Sequence, residues 1–310
     1  EQKENLFFCG GIVSAYAVLL NLLTKEGEGV VIQRPIYYPF TMKANSNGRQ
    51  IVDSPLIYAD GNYTIDFDDL DKKMAEPNIK VLVFCSPHNP AGRVWTEEEI
   101  RKVVDICKKY DKWIICDEIH CDLLRCGMTF HPILKVAPDY ADRIAVCTAP
   151  SKTFNLAGMK TSNIVIHNKE LQAAWKELIG GKLSMNGAGT LGLTAMIAAY
   201  NEGEEWLEQL LEYISGNLDY IKEYFDTRIP LIRANIPDAT YLVWLDCRKL
   251  NMTDQELKEF MIRKAGLGLN PGSDFTRALS GFMRLNAACP RATLEKALGQ
   301  LERAVNELAH

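Results

Sequence analysis

The chain has 310 residues, 47% of them hydrophobic and 24% charged, which is enough apolar material for a large core and about two domains. A formal net charge of −5 leaves no electrostatic footprint for nucleic acid. No basic block points to a membrane surface, and the apolar runs are too short or too interrupted for a transmembrane span or a signal peptide.

The chain opens at Glu1 without a methionine, and an amphipathic helix begins almost at once, near Ile12–Leu23; it reads as a chain that has lost its front. Val30–Gln33, after Gly27 and Gly29, reads as a short strand. Lys80–Cys85 is a continuous apolar run ending at Ser86-Pro87, the pattern of a strand buried on both faces. Thr96 with Glu99 three residues on forms a capping box, and Ile100, Val103, Val104 and Cys107 give the helix behind it an apolar face. Trp113–Cys116, Arg143–Cys147 and Asn163–Ile166 follow as strands. The helix between the first two of these long runs suits a right-handed parallel crossover, so the fold class is α/β with a mostly parallel sheet.

From Gly203 the texture changes. A long helix carries the stripe Trp206, Leu210, Leu211, Ile214, Leu218, Ile221 and Phe225. Strands near Ala239–Leu245 and Phe282–Leu285 and helices near Asp254–Lys264 and Thr293–Leu308 then suggest a smaller α+β unit. The predicted domains are residues 1–205 and 206–310. Trp95, Trp113 and Trp244 read as core, and Arg93 as a surface or subunit-contact charge. The nine cysteines are odd in number, form no CxxC pair and sit mostly in apolar strands, as expected of reduced thiols in the cytoplasm. The group His120, Cys121, Cys126 and His131 matches no zinc spacing well, and no metal site is predicted.

Ligands of open parallel sheets bind beyond the carboxyl ends of the strands. Those ends carry Pro35-Ile36-Tyr37-Tyr38-Pro39, then S-P-H-N-P with Asn89, then Asp117-Glu118-Ile119-His120, then the loop with Ser151 and Lys152. An amide, an acid, a lysine and an aromatic pair suit one cofactor, pyridoxal 5′-phosphate. Its aldehyde needs a desolvated amine, Lys152. Its pyridine nitrogen stays protonated beside a carboxylate, Asp117, and its ring oxygen takes a donor from Asn89. Tyr37 can stack on the ring; Tyr38 cannot do so at the same time, and Tyr37 is preferred. The phosphate suits the free N–H groups where Cys9-Gly10-Gly11-Ile12-Val13-Ser14 opens the first helix, with Ser151 and Lys160 adding a hydroxyl and a charge.

The segments S-P-H-N-P-A-G-R-V-W, D-E-I-H, A-P-S-K-T-F-N-L-A-G and G-F-M-R-L-N, in that order, resemble the fold-type I, aspartate-aminotransferase-like enzymes, and more narrowly their MalY/PatB cystathionine β-lyase branch. The resemblance runs from Gly11 to about Arg291. It implies a large domain with a central sheet between helices and a smaller α+β domain. It implies that Lys152 holds the cofactor and later moves protons, and that Asp117 pairs with the pyridine nitrogen. Asn89 and His120 would lie near the ring oxygen, Tyr37 on the ring face, and Gly11, Ile12, Val13 and Ser151 around the phosphate. Arg284 would grip the substrate α-carboxylate. Lys160 stands where many aminotransferases have arginine. Relatives begin several tens of residues earlier, with a segment that covers the site and lends a tyrosine to the neighbouring subunit, and a homodimer is implied.

Competing readings are plainer: Asp117 as a helix N-cap, His120 as a structural partner, Gly10-Gly11 as a mere helix start. The reaction expected is C–S β-elimination from cystathionine, cysteine or a related S-substituted amino acid, with transamination of an α-amino acid as the alternative. A non-enzymatic protein of the same fold has no need of Lys152, Asp117 and Arg284 together.

Overall fold

The computed structural model describes residues 2–185, 187, 189–276 and 280–308. In the first part of the chain, strands β1 (Leu6–Cys9), β2 (Gly29–Ile32), β3 (Gln50–Asp53), β6 (Ile79–Cys85), β7 (Trp113–Asp117), β8 (Ile144–Thr148) and β9 (Ser162–Ile166) form one sheet in the order β1-β9-β8-β7-β6-β2-β3. Strands β3, β2, β6, β7 and β8 are parallel, whereas β9 is antiparallel to β8 and β1 antiparallel to β9. Between β3 and β6 lie a small hairpin, β4 (Ile57–Ala59) and β5 (Asn62–Thr64), and helix α3 (Phe67–Met74).

The continuous apolar sequence of β6 has a direct cause. Leu82 and Phe84 pack into one core and Val81, Val83 and Cys85 into another on the opposite face. The first core is closed by α4 (Glu97–Lys109) through Ile100, Val103, Val104 and Cys107, and by the short α5 (Ile133–Val136). The second is closed by α1 (Ile12–Leu23), α2 (Tyr38–Ser46) and α7 (Lys169–Lys176). The short α6 (Pro150–Thr153) sits between β8 and β9. Emptying a site such as Phe84 would cost about 3–5 kcal/mol.

Helix α8 (Thr190–Glu202) leads into α9 (Glu204–Arg228) at Gly203. A second, antiparallel sheet follows in the order β10-β11-β13-β12, made of β10 (Arg233–Asn235), β11 (Leu242–Asp246), β12 (Asn270–Pro271) and β13 (Phe282–Asn286). α9 buries Ile214, Leu218, Ile221 and Phe225 against it, joined by α10 (Asp254–Glu259) and α11 (Arg291–Leu308).

Several local expectations change. A strand, β1, precedes the first helix and pairs with β9. The β4–β5 hairpin turns on Asp60 and Gly61, both at positive φ, the type I′ geometry that an Asp-Gly pair announces. Only the second half of the α9 stripe is buried; Trp206 is exposed. The predicted helix 254–264 ends as a wider π-turn over Phe260–Lys264. Trp95 and Trp244 are core, but Trp113 is half-buried beneath the Arg143 guanidinium. Arg93 pairs within the chain with Glu99 at 3.1 Å and Asp238 at 3.5 Å.

The second sheet is tied to the first by the link between β10 and β11. Asp238 and Ala239 donate backbone N–H to the Gly92 carbonyl, and Thr240 donates to that of Leu123. Gly92 has φ +72°, and a Cβ there would lie 2.4 Å from that of Pro237, so this contact requires glycine.

Candidate active site

The C-terminal ends of β1, β2, β6, β7 and β8 and the N-terminal end of β9 share one edge of the large sheet. A cavity of about 270 Å³ opens there against β13, and Ile12, Val13, Tyr37, Asn89, Asp117, His120, Lys152 and Arg284 all line it. Cys85, Tyr38, Phe40, Ile119, Tyr241, Leu242, Asn270 and Asn286 complete the wall. A larger recess of about 940 Å³ near Arg34, Asp53 and Asp274 holds none of the expected residues.

Strand parity sends the two neighbouring acids to opposite faces. Asp117 lies on the side of Ile115 and α1, and Glu118 on the side of Ile114, Cys116 and α5. Asp117 ends its strand without starting a helix. Its Oδ1 accepts the Ile119 N–H at 3.1 Å, and the Cys85 thiol lies 3.9 Å from Oδ2. Burial pushes the carboxyl up to about 6, against the pull of the Ile119 N–H and the Lys152 charge. Glu118 accepts the Ile133 N–H at 2.9 Å and the Cys116 thiol, and burial pushes it up to about 7. It fastens a loop rather than facing the cavity.

Lys152 sits on the one-turn helix after β8 and is half-buried. Burial and then the Arg284 charge lower its pKa, while Asp117 raises it. His120 is buried with Nδ1 unpartnered, and burial with the Lys152 and Arg284 charges drives its pKa down to about 3, so its imidazole is neutral. The Tyr37 ring stands beside Tyr38, centroids 5.4 Å apart, and over Phe40 edge-on. His88, buried and also neutral with its pKa near 4, contacts the Pro35 carbonyl at 2.8 Å and so joins the loop bearing Asn89 to the one bearing Tyr37.

Arg284 comes from β13. Its guanidinium donates to Asn89 Oδ1 at 2.9 Å and Asn270 Oδ1 at 3.0 Å and lies 4.6 Å over the Phe275 ring. An arginine has only donors, so both amides must turn their oxygens to it. The NH₂ of Asn89 is thereby left for the cavity.

Gly11 caps α1 with φ +125° and offers no side-chain acceptor to the first-turn N–H groups. Gly11, Ser151 and Lys160 are not among the lining residues of the cavity. Ser151 adjoins Lys152, and Lys160 is exposed, its carbonyl 3.9 Å from where a Cβ on Gly10 would be. Neither Tyr241 nor Asn270 stands out in the sequence: Tyr241 immediately precedes β11 and Asn270 lies in β12, and only the register and docking of the second sheet bring them to Lys152 and Arg284. Among the described residues no cluster of three or more His, Cys, Asp or Glu is placed to hold a metal.

Comparison with known proteins agrees with this fold. The family model described as aminotransferase class I and II matches residues 1–301. Cystathionine beta-lyase PatB of Bacillus subtilis (strain 168) is 37% identical over 306 residues, 98% of this chain and 78% of that protein. Protein MalY of Escherichia coli (strain K12) is 33% identical over 98% of this chain and 77% of its own length. The crystal structure of cystalysin from Treponema denticola, which contains a pyridoxal 5′-phosphate cofactor, superposes with a TM-score of 0.96 at 37% identity, covering 99% of this chain and 78% of that one. The chain belongs to the class I and II aminotransferase family and has its fold-type I, aspartate-aminotransferase-like architecture.

Proposed function

We propose that the chain is a pyridoxal 5′-phosphate-dependent carbon–sulfur β-lyase, cleaving cystathionine, cysteine or a related S-substituted amino acid to pyruvate, ammonia and a thiol. The observation that carries this reading is the convergence of Lys152, Asp117, Asn89 and Arg284 on one cavity, in a chain 37% identical to a cystathionine β-lyase.

The residues fit the cofactor. The cavity holds a desolvated amine, a buried carboxylate with a raised pKa, an amide with its NH₂ free, an unpartnered buried imidazole nitrogen and an uncapped helix start. Lys152 is the amine that would hold it. Asp117 would face the ring nitrogen, Asn89 and His120 the ring oxygen, and Tyr37 the ring face. Gly11, Ile12 and Val13, with Ser151 and Lys160, would take the phosphate at the N-terminus of α1. When bound, pyridoxal 5′-phosphate supplies an aldehyde that condenses with amines and an electron-poor ring that draws charge from the amino-acid Cα.

The chain's own part follows from its charges. Arg284, with no carboxylate paired to it among the described residues, keeps its full charge for the substrate α-carboxylate. Lys152 is held toward the neutral form and takes the proton from Cα. The thiolate leaves Cβ with its bonding electrons, and the three-carbon remainder, once released, takes up one water and ends as pyruvate and ammonia. The raised pKa of Asp117 means that it gains most by meeting a positive N–H.

The same reading divides the chain into a cofactor-binding domain over residues 1–205 and a smaller domain over 206–310, and places it in the cytoplasm as a homodimer. The exposed apolar side chains Met185, Leu191, Ile197 and Trp206 support pairing of two copies, and the nine free cysteines support a reducing compartment. Among the described residues no helix is long and apolar enough to cross a membrane.

The test is direct. Protein loaded with the cofactor and given L-cystathionine, without any keto acid, should release pyruvate and a thiol. Turnover only after a keto acid is added replaces the lyase by the aminotransferase. Lys152→Ala should abolish both turnover and the visible absorbance of the loaded protein.

A further inference from the structure

Arg284 is an unusual arginine. It is half-buried, and burial is the main influence that depresses its pKa. A cation drawn out of water ordinarily carries a carboxylate partner, because an unpaired charge is costly to desolvate. Among the described residues none forms an ion pair with Arg284. Two neutral amide oxygens and an aromatic face hold it instead.

The two amides differ in origin. Both line the cavity, and Asn89, on the loop behind β6, has its NH₂ available there. Asn270 is directly opposite Arg284 in the β12–β13 pair, so its place is set by strand register rather than by a ligand. Cross-strand neighbours lie about 5 Å apart at Cβ, close enough to fix a long side chain. Asn270 Oδ1 takes the Nη2 edge and Asn89 Oδ1 the Nη1 edge, which together determine the plane of the fork. Aspartate would be nearly the same size at position 270, and it would neutralise the cation that the cavity keeps unpaired.

We propose that Asn270 is a positioning residue for carboxylate recognition: a neutral oxygen opposite Arg284 that fixes the plane of the guanidinium without consuming its charge, and so sets the preference of the site for substrates with a free α-carboxylate. This rests on the reading above in which Arg284 binds that carboxylate.

The experiment compares the cofactor-loaded protein with its Asn270→Asp and Asn270→Ala variants. The dissociation constants of L-alanine and of L-alanine methyl ester are read from the change in cofactor absorbance, which requires no turnover. The wild type should bind the free acid much the more tightly. Asn270→Asp should weaken binding of the acid by roughly 30-fold, leave the ester within about threefold and so erase the preference; Asn270→Ala should fall between, at about fivefold. Under β-elimination conditions the loss should appear in KM, with kcat within about threefold. Asn270→Asp binding the acid as the wild type does, or losing acid and ester equally, overturns the proposal. A wild type that makes no pyruvate overturns the lyase reading instead, and the two dissociation constants still decide the role of Asn270.

Discussion

Arg284 and Asn89, 195 residues apart in sequence, meet through a 2.9 Å hydrogen bond that spans the two sheets. One end is on β13, an inner strand of the small sheet, and the other on the loop behind β6. The amide thus touches both places where a substrate and its cofactor would be held. Asn89→Ala should raise KM about 10- to 100-fold, the range for loss of a hydrogen bond to a charged group, and should also weaken cofactor retention. Steady-state kinetics and a cofactor titration check the two effects separately.

The Asp117 carboxyl gives a pH-dependent prediction for the cofactor-free protein. Its folded pKa, about 6, lies above its ordinary 3.8. The folded state therefore binds the proton more tightly, and the stability from this group is full below about pH 3.8 and lost as the pH rises through about 6. Asn carries no such charge. Asp117→Asn should match the wild type near pH 4 and exceed it by on the order of 2–3 kcal/mol at pH 7. Urea melts of both proteins at the two pH values test this. Glu118, raised to about 7, trends the same way, while His88 and His120, lowered to about 4 and 3, lose stability on acidification. Those groups are common to both proteins, and the Asp117 charge itself helps raise Glu118 and Lys152, so the difference reads Asp117 together with its coupling to them. With the cofactor bound the sign reverses, and the variant should release it more readily.

Gly92→Ala tests the tie between the two sheets. The added methyl meets Pro237 at 2.4 Å, with a backbone at φ +72° that favours glycine. A loss of about 2 kcal/mol or more is expected in denaturant melts. Because the segment that is displaced leads directly into Tyr241 and Leu242, which line the cavity, kcat/KM should fall with it. A surface control such as Gly127→Ala, at φ +86° with nothing near the added Cβ, separates backbone strain from the clash.

Much of this was legible in the sequence because buried parallel strands announce their own ends. The apolar runs stop at Cys85, Asp117 and Thr148, and the next residues carry Asn89, Asp117 itself and Lys152. Parity then explains why Asp117 and not Glu118 faces the cavity, which spacing alone left unsaid. Asn270 and Tyr241 were hidden for a different reason. Their relation to Arg284 and Lys152 depends on how a short antiparallel sheet registers and docks, and no local pattern encodes that. The edge strand β1 was hidden because four residues before a helix carry little periodicity. The Asp60-Gly61 turn signal was present and flanked by the short strands it joins.

The reversal of β9 has a consequence for how this scaffold can change. Because β9 returns antiparallel to β8, the thirteen residues from Ala149 to Thr161 leave and rejoin the sheet at the same edge. No crossover to the far side is needed, so the whole Lys152 segment is free of any threading duty. Lengthening or shortening it alters what surrounds the amine while every strand keeps its neighbours, and new chemistries can be explored there without renegotiating the topology.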